Sequence, residues 1–268
     1  MLGAMCTEKC SQLTRRAAVI GAAAAVTTAA LGASAGPASA STGHPVLGRH
    51  LQDLTHPYTT SFPAFEPDEA PRRETYATIE DDGYYMQEWR VIEHTGTHVD
   101  APGHFIPGGR LSTELRLAEL ITPAVVVDIA ARAAREPDTM VTVDDLQRYE
   151  RRHGRIPDGA AVLMYSGWAA KAGDASAYRS HFPGFSVEAC EWLLRRRRIR
   201  SLGVDTLSID PAPSETFDVH LALLGADRYG LENLAHLDRM PPAGATIVVG
   251  LIPYEQGSGG QARIFATW

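Results

Sequence analysis

Four short, largely apolar and β-branched runs constrain the fold of this chain more than any other feature. Each run is four to six residues long, and they cover residues 125–129, 161–165, 202–205 and 246–251. A strand with one face in water alternates apolar and polar residues, so runs without that alternation are typical of strands buried on both faces. The runs therefore predict central strands that are covered on each side.

Helical patterns separate these strands. Thr142 is expected to cap a helix that continues to about Arg152, and Ser186 is expected to cap a second helix that continues to about Arg198. Residues 56–75 are rich in proline and turn-forming residues, which predicts a long ordered loop. Because strands alternate with helices, the sequence predicts a single α/β domain.

Residues 1–40 have the order of features found in a secretory signal. The twin-arginine pair Arg15-Arg16 precedes an alanine-rich run over residues 17–35, and Ala38-Ser39-Ala40 supplies the small residues that a signal peptidase reads. A transmembrane anchor is the alternative, but the run is mostly alanine and ends in this cleavage site. We therefore expect export by the twin-arginine route, a secreted or extracytoplasmic location, no stable membrane anchor, and a mature domain of residues 41–268.

The charge balance excludes nucleic acid as a partner. The formal net charge is −7, and because the first 40 residues contribute +2, the remaining chain carries −9. Duplex nucleic acid selects a positive surface, which so acidic a chain lacks. Four consecutive arginines, residues 195–198, are the exception. We interpret them as a solvated helix end or part of a subunit contact, since cations are favoured at the C-terminus of a helix.

The cysteines predict a domain without disulfides. Cys6 and Cys10 lie in the expected leader, which leaves Cys190 alone in the mature domain. Cys190 lies in a helical pattern, where a buried and inert thiol is favoured over a nucleophile.

Three of the ten histidines fall within eleven positions. They are His94, His98 and His104, in the stretch HTGTHVDAPGHF, with Asp100 between them. Imidazole and carboxylate groups at this density are typical of a metal or catalytic centre. Two imidazoles and one carboxylate suit a divalent first-row ion such as zinc or manganese. The motif therefore predicts a divalent metal site.

The spacing predicts how this motif folds. In a straight strand, His94 and His98 would lie about 13 Å apart, too far to bind one ion. Gly96 offers the bend that brings the imidazoles together, and Pro102 prevents a helix from continuing. His98 and Asp100, two positions apart, can share one face of an extended segment.

The motif HTGTHVDAPGHF resembles the signature of the metal-dependent cyclase family, which includes bacterial kynurenine formamidases and isatin hydrolases. The likeness covers most of residues 50–268 and includes the segments 53–57, 165–168, 203–211 and 219–244. It implies an α/β fold, a single swivelling β/β/α barrel-like domain, that commonly assembles as a homodimer or larger oligomer.

The resemblance also implies roles for the site residues. The metal ligands of the family correspond to His94, His98, Asp100, His220 and Glu232. In a two-metal site Asp100 and Glu232 would bridge the ions, so the subunit would hold one or two zinc or manganese ions. The last histidine of the motif, His104, corresponds to the proton shuttle. By pattern alone, His220 and Glu232 are ordinary helix residues.

Five other polar residues are predicted to bind no metal. Asp53 and His56 are expected near the mouth of the site, and His236 is expected on the surface or behind the ligands. His153 and His181 are expected outside the site.

The reaction implied is hydrolysis of an amide-type C–N bond, in an arylformamide or a cyclic amide, with a small molecule as substrate. The metal would lower the pKa of a bound water and supply hydroxide at neutral pH, with His104 as general acid and base. Two alternatives stay open: a cyclase of polyketide-like substrates that uses the metal as a Lewis acid, and an exported protein that binds metal or ligand without catalysis. The sequence disfavours a serine hydrolase, because Ser166 lacks the preceding glycine of a Gly-x-Ser-x-Gly elbow.

The sequence departs from kynurenine formamidases in one region. Those enzymes resemble one another around a Trp-Pro-Gly-Asp stretch that helps to hold the aromatic substrate. The corresponding region here reads SFPAFEPDE, with Phe62 and Phe65 and no tryptophan. The substrate is therefore expected to differ from N-formylkynurenine, while the hydrolytic residues are kept.

Overall fold

The computed structural model describes residues 50–268, which form twelve strands and six α-helices. The strands are β1 (Leu51–Asp53), β2 (Arg72–Ala77), β3 (Met86–Arg90), β4 (His98–Asp100), β5 (Ile121–Asp128), β6 (Met140–Val141), β7 (Ala161–Tyr165), β8 (Gly184–Phe185), β9 (Ser201–Val204), β10 (Tyr229–Glu232), β11 (Ala245–Leu251) and β12 (Gly259–Thr267). The helices are α1 (Ile79–Asp82), α2 (Ala130–Ala133), α3 (Val143–His153), α4 (Ala175–Arg179), α5 (Val187–Arg197) and α6 (Asp218–Gly225). The predicted signal over residues 1–40 lies outside the described residues. Among residues 50–268, no helix is both long and apolar enough to cross a bilayer.

Seven of these strands close into a β-barrel in the order β4, β12, β11, β5, β7, β9 and β10. Strands β5, β7, β9 and β10 run parallel to one another, whereas β4, β11 and β12 are antiparallel to their neighbours. Closure depends on β12, because its first residues pair with β4 along one edge while its other edge pairs with β11. The last residues of β12 pair with β1, which lies outside the barrel. The arrangement confirms the predicted α/β barrel-like fold.

Three of the four apolar runs, in β5, β7 and β9, are buried on both faces, as predicted. The prediction is wrong for the run 246–251, because in β11 buried residues alternate with partly or fully exposed ones. Val126 and Leu163 belong to the core inside the barrel, together with Leu231. The alternate residues Val125 and Val162 belong to a second core, which includes side chains of α3, α5 and α6. One face of each parallel strand therefore lines the barrel and the other lies beneath helices, so neither face needs polar residues.

Helices α3 and α5 begin at their predicted caps. The side chains of Thr142 and Ser186 each accept a hydrogen bond from the backbone N–H group three residues further on. Such caps satisfy amide groups that the first turn of a helix leaves unpaired. Helix α5 ends at Arg197 because Arg198 adopts a left-handed conformation, with a φ of 47°.

The arginine run lies at the C-terminal end of α5, as predicted, with three of its four side chains exposed. Arg195 pairs with Glu191 one turn earlier, at 2.6 Å, and Arg197 pairs with Glu150 of α3 at 2.5 Å. Cys190 of the same helix is buried, and burial raises the pKa of its thiol to about 12. The cysteine is therefore protonated and enclosed, which agrees with the predicted inert thiol.

Strands β2 and β3 form a two-stranded hairpin outside the barrel, which we call the arm (residues 72–90). Trp89 fixes one face of the arm to the loop after β1, where its ring lies 5.8 Å from that of Tyr58. The tip carries α1 and the exposed rings of Tyr84 and Tyr85. The loop predicted over residues 56–75 is shorter than expected, because its last four residues pair with β3 and begin strand β2.

Candidate metal centre

Strand β4 and the end of β10 carry three of the predicted ligands. His98 and Asp100 lie two positions apart on β4, where side chains share one face, as their spacing predicts. Glu232 is the last residue of β10 and lies directly opposite His98 in the β4–β10 ladder. The pattern-based interpretation of Glu232 as a helix residue is therefore wrong, whereas His220 does lie on a helix, α6.

The polar ends of four side chains converge at this point. Nε2 of His98 lies 3.2 Å from Oδ1 of Asp100 and 3.4 Å from Oε2 of Glu232. Nε2 of His220 lies 3.3 Å from Oε1 of Glu232 and 3.7 Å from Oδ2 of Asp100. Each of the two carboxylates thus lies close to both imidazoles.

His94 and His104 extend the cluster. Nδ1 of His94 lies 2.7 Å from Oδ1 of Asp100, and the His104 ring stacks on the His94 ring with centroids 3.7 Å apart. Two groups of ligand atoms result, each with its members within 4.8 Å of one another: His98, Asp100 and Glu232, and His94, Asp100 and His104. The structure therefore brings all six predicted site residues together. Because His104 belongs to one of these groups, its separate role as a proton shuttle stays a prediction.

Gly96 makes the bend that the spacing requires. Its φ of +68° lies in the left-handed region, and a Cβ atom at this position would lie 2.5 Å from the ring of Tyr58. The Gly96 carbonyl oxygen accepts a hydrogen bond of 2.8 Å from Nδ1 of His98. Since Nδ1 must then carry the proton, Nε2 of His98 is free to face the carboxylates.

Two further glycines leave room for ligand side chains, Gly230 for Asp100 and Gly259 for His94. Gly230 of β10 and Gly259 of β12 lie opposite Asp100 in the two neighbouring ladders. A Cβ atom on Gly230 would lie 2.7 Å from Oδ2 of Asp100, and one on Gly259 would lie 2.5 Å from Cε1 of His94. Sequence reasoning missed both glycines. Glycine within a strand often marks the close approach of another group, and this pattern could have identified both positions.

The other nitrogens of His220 and His94 also have partners. Nδ1 of His220 lies 2.6 Å from Oδ2 of Asp210, a carboxylate that also accepts two backbone N–H groups at the start of α6. Nε2 of His94 lies 2.9 Å from Oγ of Ser258, which donates to Glu93 at 2.8 Å. Such partners fix the orientation and tautomer of a metal-binding imidazole. Sequence reasoning missed all three partners.

Asn233 connects strand β10 to the loop of residues 94–97, which precedes β4 and contains His94 and Gly96. Its Nδ2 donates to the carbonyl oxygen of Gly96 at 3.0 Å, and its Oδ1 accepts from the hydroxyl of Tyr178 at 3.0 Å. Its own carbonyl accepts from Oγ1 of Thr97 at 2.6 Å. Because Asn233 directly follows Glu232, these bonds hold the carboxylate of one strand and the bend before β4 in a fixed relation.

The residues of the centre fit a divalent metal ion. Nε2 of His98 and Oδ2 of Asp100 are buried and make no hydrogen bond to any described residue. A buried polar atom without a partner is costly, and a bound cation would supply the missing interaction to the carboxylate and the imidazole alike. Imidazole nitrogens with carboxylate oxygens are the donor set that zinc and manganese accept.

The charges of the cluster separate the pKa of His104 from the pKa values of His98 and His220. Burial lowers the pKa of His98, but Asp100 and Glu232 outweigh burial and raise this pKa to about 10. The carboxylates likewise overcome burial and raise the pKa of His220 well above its ordinary value. For His104, burial dominates and lowers the pKa to about 4. The His104 imidazole is therefore neutral at pH 7 and able to accept a proton.

A cavity of about 240 Å³ opens onto the cluster. Its polar side includes His94, His104 and Glu232, and its apolar side includes Phe65, Phe105 and Phe217. Of the two phenylalanines that the sequence places near the substrate, Phe65 therefore borders the cavity. Phe62 does not, because its side chain is buried in a separate cluster with Trp168 and Tyr178.

The polar residues predicted to bind no metal lie outside both ligand groups. Asp53 pairs with an arginine, Arg263, at 2.6 Å, and His181 pairs with Asp138 at 2.8 Å. His153 and His236 are exposed. His56 borders a different cavity, together with His236 and Tyr165.

Comparison with known proteins identifies the family. The model of a family described as "Putative cyclase" matches residues 52–211. The chain belongs to the cyclase family. The match contains the whole HTGTHVDAPGHF motif and confirms the family that the motif predicts, whereas His220 and Glu232 lie beyond the matched residues.

Relatives within the cyclase family extend the likeness. An isatin hydrolase of Roseibium aggregatum is 32% identical over 201 residues, which are 69% of this chain and 76% of that protein. A kynurenine formamidase of Bordetella avium is 29% identical over 198 residues, 72% of this chain and 86% of that protein. The solved structure of isatin hydrolase A from Ralstonia solanacearum matches with a TM-score of 0.76 and 35% identity, and the match covers 81% of this chain and 91% of that one.

Proposed function

We propose that this cyclase-family protein is a metal-dependent hydrolase of an amide-type C–N bond in a small molecule. The observation that carries the proposal is a pair of buried atoms, Nε2 of His98 and Oδ2 of Asp100, that make no hydrogen bond within residues 50–268 and lie in a cluster bordering an aromatic cavity. The isatin hydrolase and kynurenine formamidase relatives support an enzyme over a protein that only binds metal.

The metal would be held by residues of the convergent cluster. These residues are His94, His98, Asp100, His220 and Glu232. Because Asp100 belongs to both groups of ligand atoms, the cluster is compatible with one or two zinc or manganese ions in each subunit. When bound, such an ion lowers the pKa of a water molecule and polarises a substrate carbonyl.

His104 would move the proton. Its ring borders the cavity and is neutral at pH 7, so it can accept a proton from the attacking water. As the C–O bond forms and the C–N bond breaks, the same ring would return this proton to the leaving nitrogen. The His104 ring stacks on the His94 ring, and a hydrogen bond to Ser258 fixes the His94 ring in turn. This stacking would hold His104 in position for proton transfer.

We propose a flat aromatic amide of the cyclic, isatin-like kind as the substrate. Phe65, Phe105 and Phe217 form the apolar side of the cavity. The ring centroid of Phe217 lies 6.2 Å from that of Phe65 and 5.5 Å from that of Phe105. Aromatic walls bind flat rings by stacking and edge contacts. The carbonyl and nitrogen of the amide would then face His104 and Glu232 on the polar side.

Hydrolysis assays on isatin, formanilide and an aryl lactone test this function. We expect the purified protein, loaded with zinc or manganese, to open isatin to a product heavier by one water. A chelator should abolish turnover, and added metal should restore it. Turnover that a chelator leaves unchanged would contradict the metal-dependent mechanism. Ring closure of a polyketide-like substrate, without uptake of water, would favour the cyclase alternative.

Substitution of Gly230 tests whether metal binding needs the space that this glycine leaves beside Asp100. We expect Gly230→Ala to weaken metal binding by about 10-fold to 100-fold, the range found when groups that support metal ligands are disturbed. The added Cβ would lie 2.7 Å from Oδ2 of Asp100. Gly173→Ala is the control, because a Cβ there meets no described atom within 4 Å. Equal metal affinity of the two variants, measured by competition with a chelator, would show that Asp100 does not need this space.

We propose as well that residues 1–40 direct export by the twin-arginine route. The Arg15-Arg16 pair and the Ala38-Ser39-Ala40 site support the proposal. Sequencing of the exported protein should begin at Ser41, and replacement of both arginines by lysine should leave the precursor in the cytoplasm. Undiminished export of the lysine variant would contradict the route, and a different first residue would contradict the cleavage site.

A further inference from the structure

The loop that follows β9, residues 205–210, is buried throughout and supports two residues of the metal centre. A backbone N–H group of this loop donates to Oε1 of Glu232 at 2.8 Å, and Oδ2 of Asp210 lies 2.6 Å from Nδ1 of His220. Ser208 belongs to the same loop and borders the site cavity. The loop therefore holds Ser208 in a fixed relation to two of the proposed ligands.

The hydroxyl of Ser208 has a hydrogen-bond donor without a partner. Its Oγ accepts the N–H group of Asp210 at 3.2 Å, and the Ser208 carbonyl oxygen accepts from Oγ1 of Thr206 at 2.9 Å. A serine hydroxyl also has one hydrogen to donate, and the Ser208 hydroxyl donates to no group within residues 50–268. Because the residue is only 4% exposed, an unused donor is costly there. A molecule bound in the cavity can supply the missing acceptor.

The other polar residues on this wall of the cavity already have proposed roles. His94, His220 and Glu232 would hold the metal, and the metal would polarise the carbonyl that reacts. His104 would move the proton. Among the described residues that border the cavity, Ser208 is the one with a hydroxyl group. This hydroxyl is therefore available to a second acceptor atom of the substrate, beside the amide that is cleaved.

We propose that Ser208 donates a hydrogen bond to a second carbonyl oxygen of the substrate, on the carbon next to the reacting amide. The inference rests on the proposed function and narrows its substrate class to aromatic amides with two adjacent carbonyl groups. Isatin has both groups, whereas formanilide has the amide alone. A site built to hydrogen-bond a substrate group discriminates against analogues that lack it, because the polar group of the site is then left unpaired.

The variant Ser208→Ala tests this hydrogen bond through kcat/KM for isatin and for formanilide. We expect the metal-loaded variant to lose about threefold to tenfold on isatin, the usual contribution of one neutral hydrogen bond, and to be nearly unchanged on formanilide. Equal losses on the two substrates, or no loss on isatin, would overturn the inference and leave the hydrolase function intact. If the unaltered protein turned over neither substrate, the proposed function would fail, and the inference with it.

A matched control separates the lost hydroxyl from disturbance of Asp210. Ser214 also contacts this carboxylate, with Oγ 3.5 Å from Oδ1, but it does not border the site cavity. Ser214→Ala should therefore change kcat/KM for isatin and formanilide by the same factor. A selective loss on isatin in Ser214→Ala would show that the selectivity comes from the support of the metal centre, and the role of Ser208 would be withdrawn.

Removal of the oxygen from the ligand gives a second measurement, which needs no variant. The compound 2-oxindole has the ring and the amide of isatin but lacks the second carbonyl oxygen. As competitors of formanilide hydrolysis by the unaltered protein, isatin should bind about threefold to tenfold more tightly than 2-oxindole. The two should compete almost equally in Ser208→Ala. Equal competition in the unaltered protein would contradict the hydrogen bond.

Discussion

Asp100→Asn is expected to lose metal and activity together, because Asp100 is the residue on which both ligand groups depend. Its Oδ1 lies 2.7 Å from His94 and 3.2 Å from His98, and its Oδ2 lies 3.7 Å from His220. Asparagine has nearly the same shape but carries no negative charge, so the cation loses a charged ligand while the packing is kept. We expect metal affinity to fall by more than about 100-fold, beyond the usual effect of groups that only support a ligand.

Two matched variants show how large the loss of metal affinity in Asp100→Asn is. Asp210→Asn weakens the support of His220 without removing a ligand, so a loss of about 10-fold to 100-fold in metal affinity is expected. Asp53→Asn changes a partly exposed ion pair with Arg263 outside the centre and should retain all the metal. Metal content after dialysis, measured by atomic emission, orders the three variants. Full occupancy in Asp100→Asn would remove Asp100 from the ligands.

The sequence predicted the barrel strands and main helices better than their assembly. Residues 161–165 form strand β7 with unchanged bounds, and Thr142 and Ser186 cap their helices. These features are local, because they depend on burial patterns and on hydrogen bonds within one turn. Closure of the barrel depends instead on the pairing of β12 with β4, more than 150 residues apart, which no local pattern contains.

The same distinction applies to the site. His94, His98 and Asp100 were found from residue type and spacing, because all three lie on one short segment bent at Gly96. Ser258 was missed because it is 164 residues from His94, and nothing near it in the chain marks it as a partner.

Other residues of the site could not be predicted from the sequence pattern around them. His220 and Glu232 were found only through family resemblance, since their own surroundings are typical of apolar segments. Gly230 is explained only by the carboxylate opposite it on another strand. The roles of these residues therefore depend on contacts between distant segments, which the local sequence does not contain.

His104→Ala is expected to keep near-normal metal content and to lose about 10²-fold to 10⁴-fold in turnover, the usual contribution of general acid–base catalysis. The His104 ring borders the cavity, and its pKa of about 4 keeps it uncharged at pH 7. His94→Ala should behave differently and lose metal first, because Nδ1 of His94 lies 2.7 Å from Asp100 in the charged part of the cluster. His236→Ala replaces an exposed histidine outside both ligand groups and should change neither property.

The leaving group distinguishes a proton shuttle from a ligand. If His104 protonates the leaving nitrogen, its loss should matter less for amides whose nitrogen leaves readily, because these need less protonation in the transition state. A ligand shows no such dependence, since losing it removes metal from every reaction alike. His104 lies within 4.8 Å of His94 and Asp100, so both roles are sterically open to it. If His104→Ala loses metal as readily as His94→Ala and slows all substrates equally, then His104 is a ligand, and a different group must move the proton.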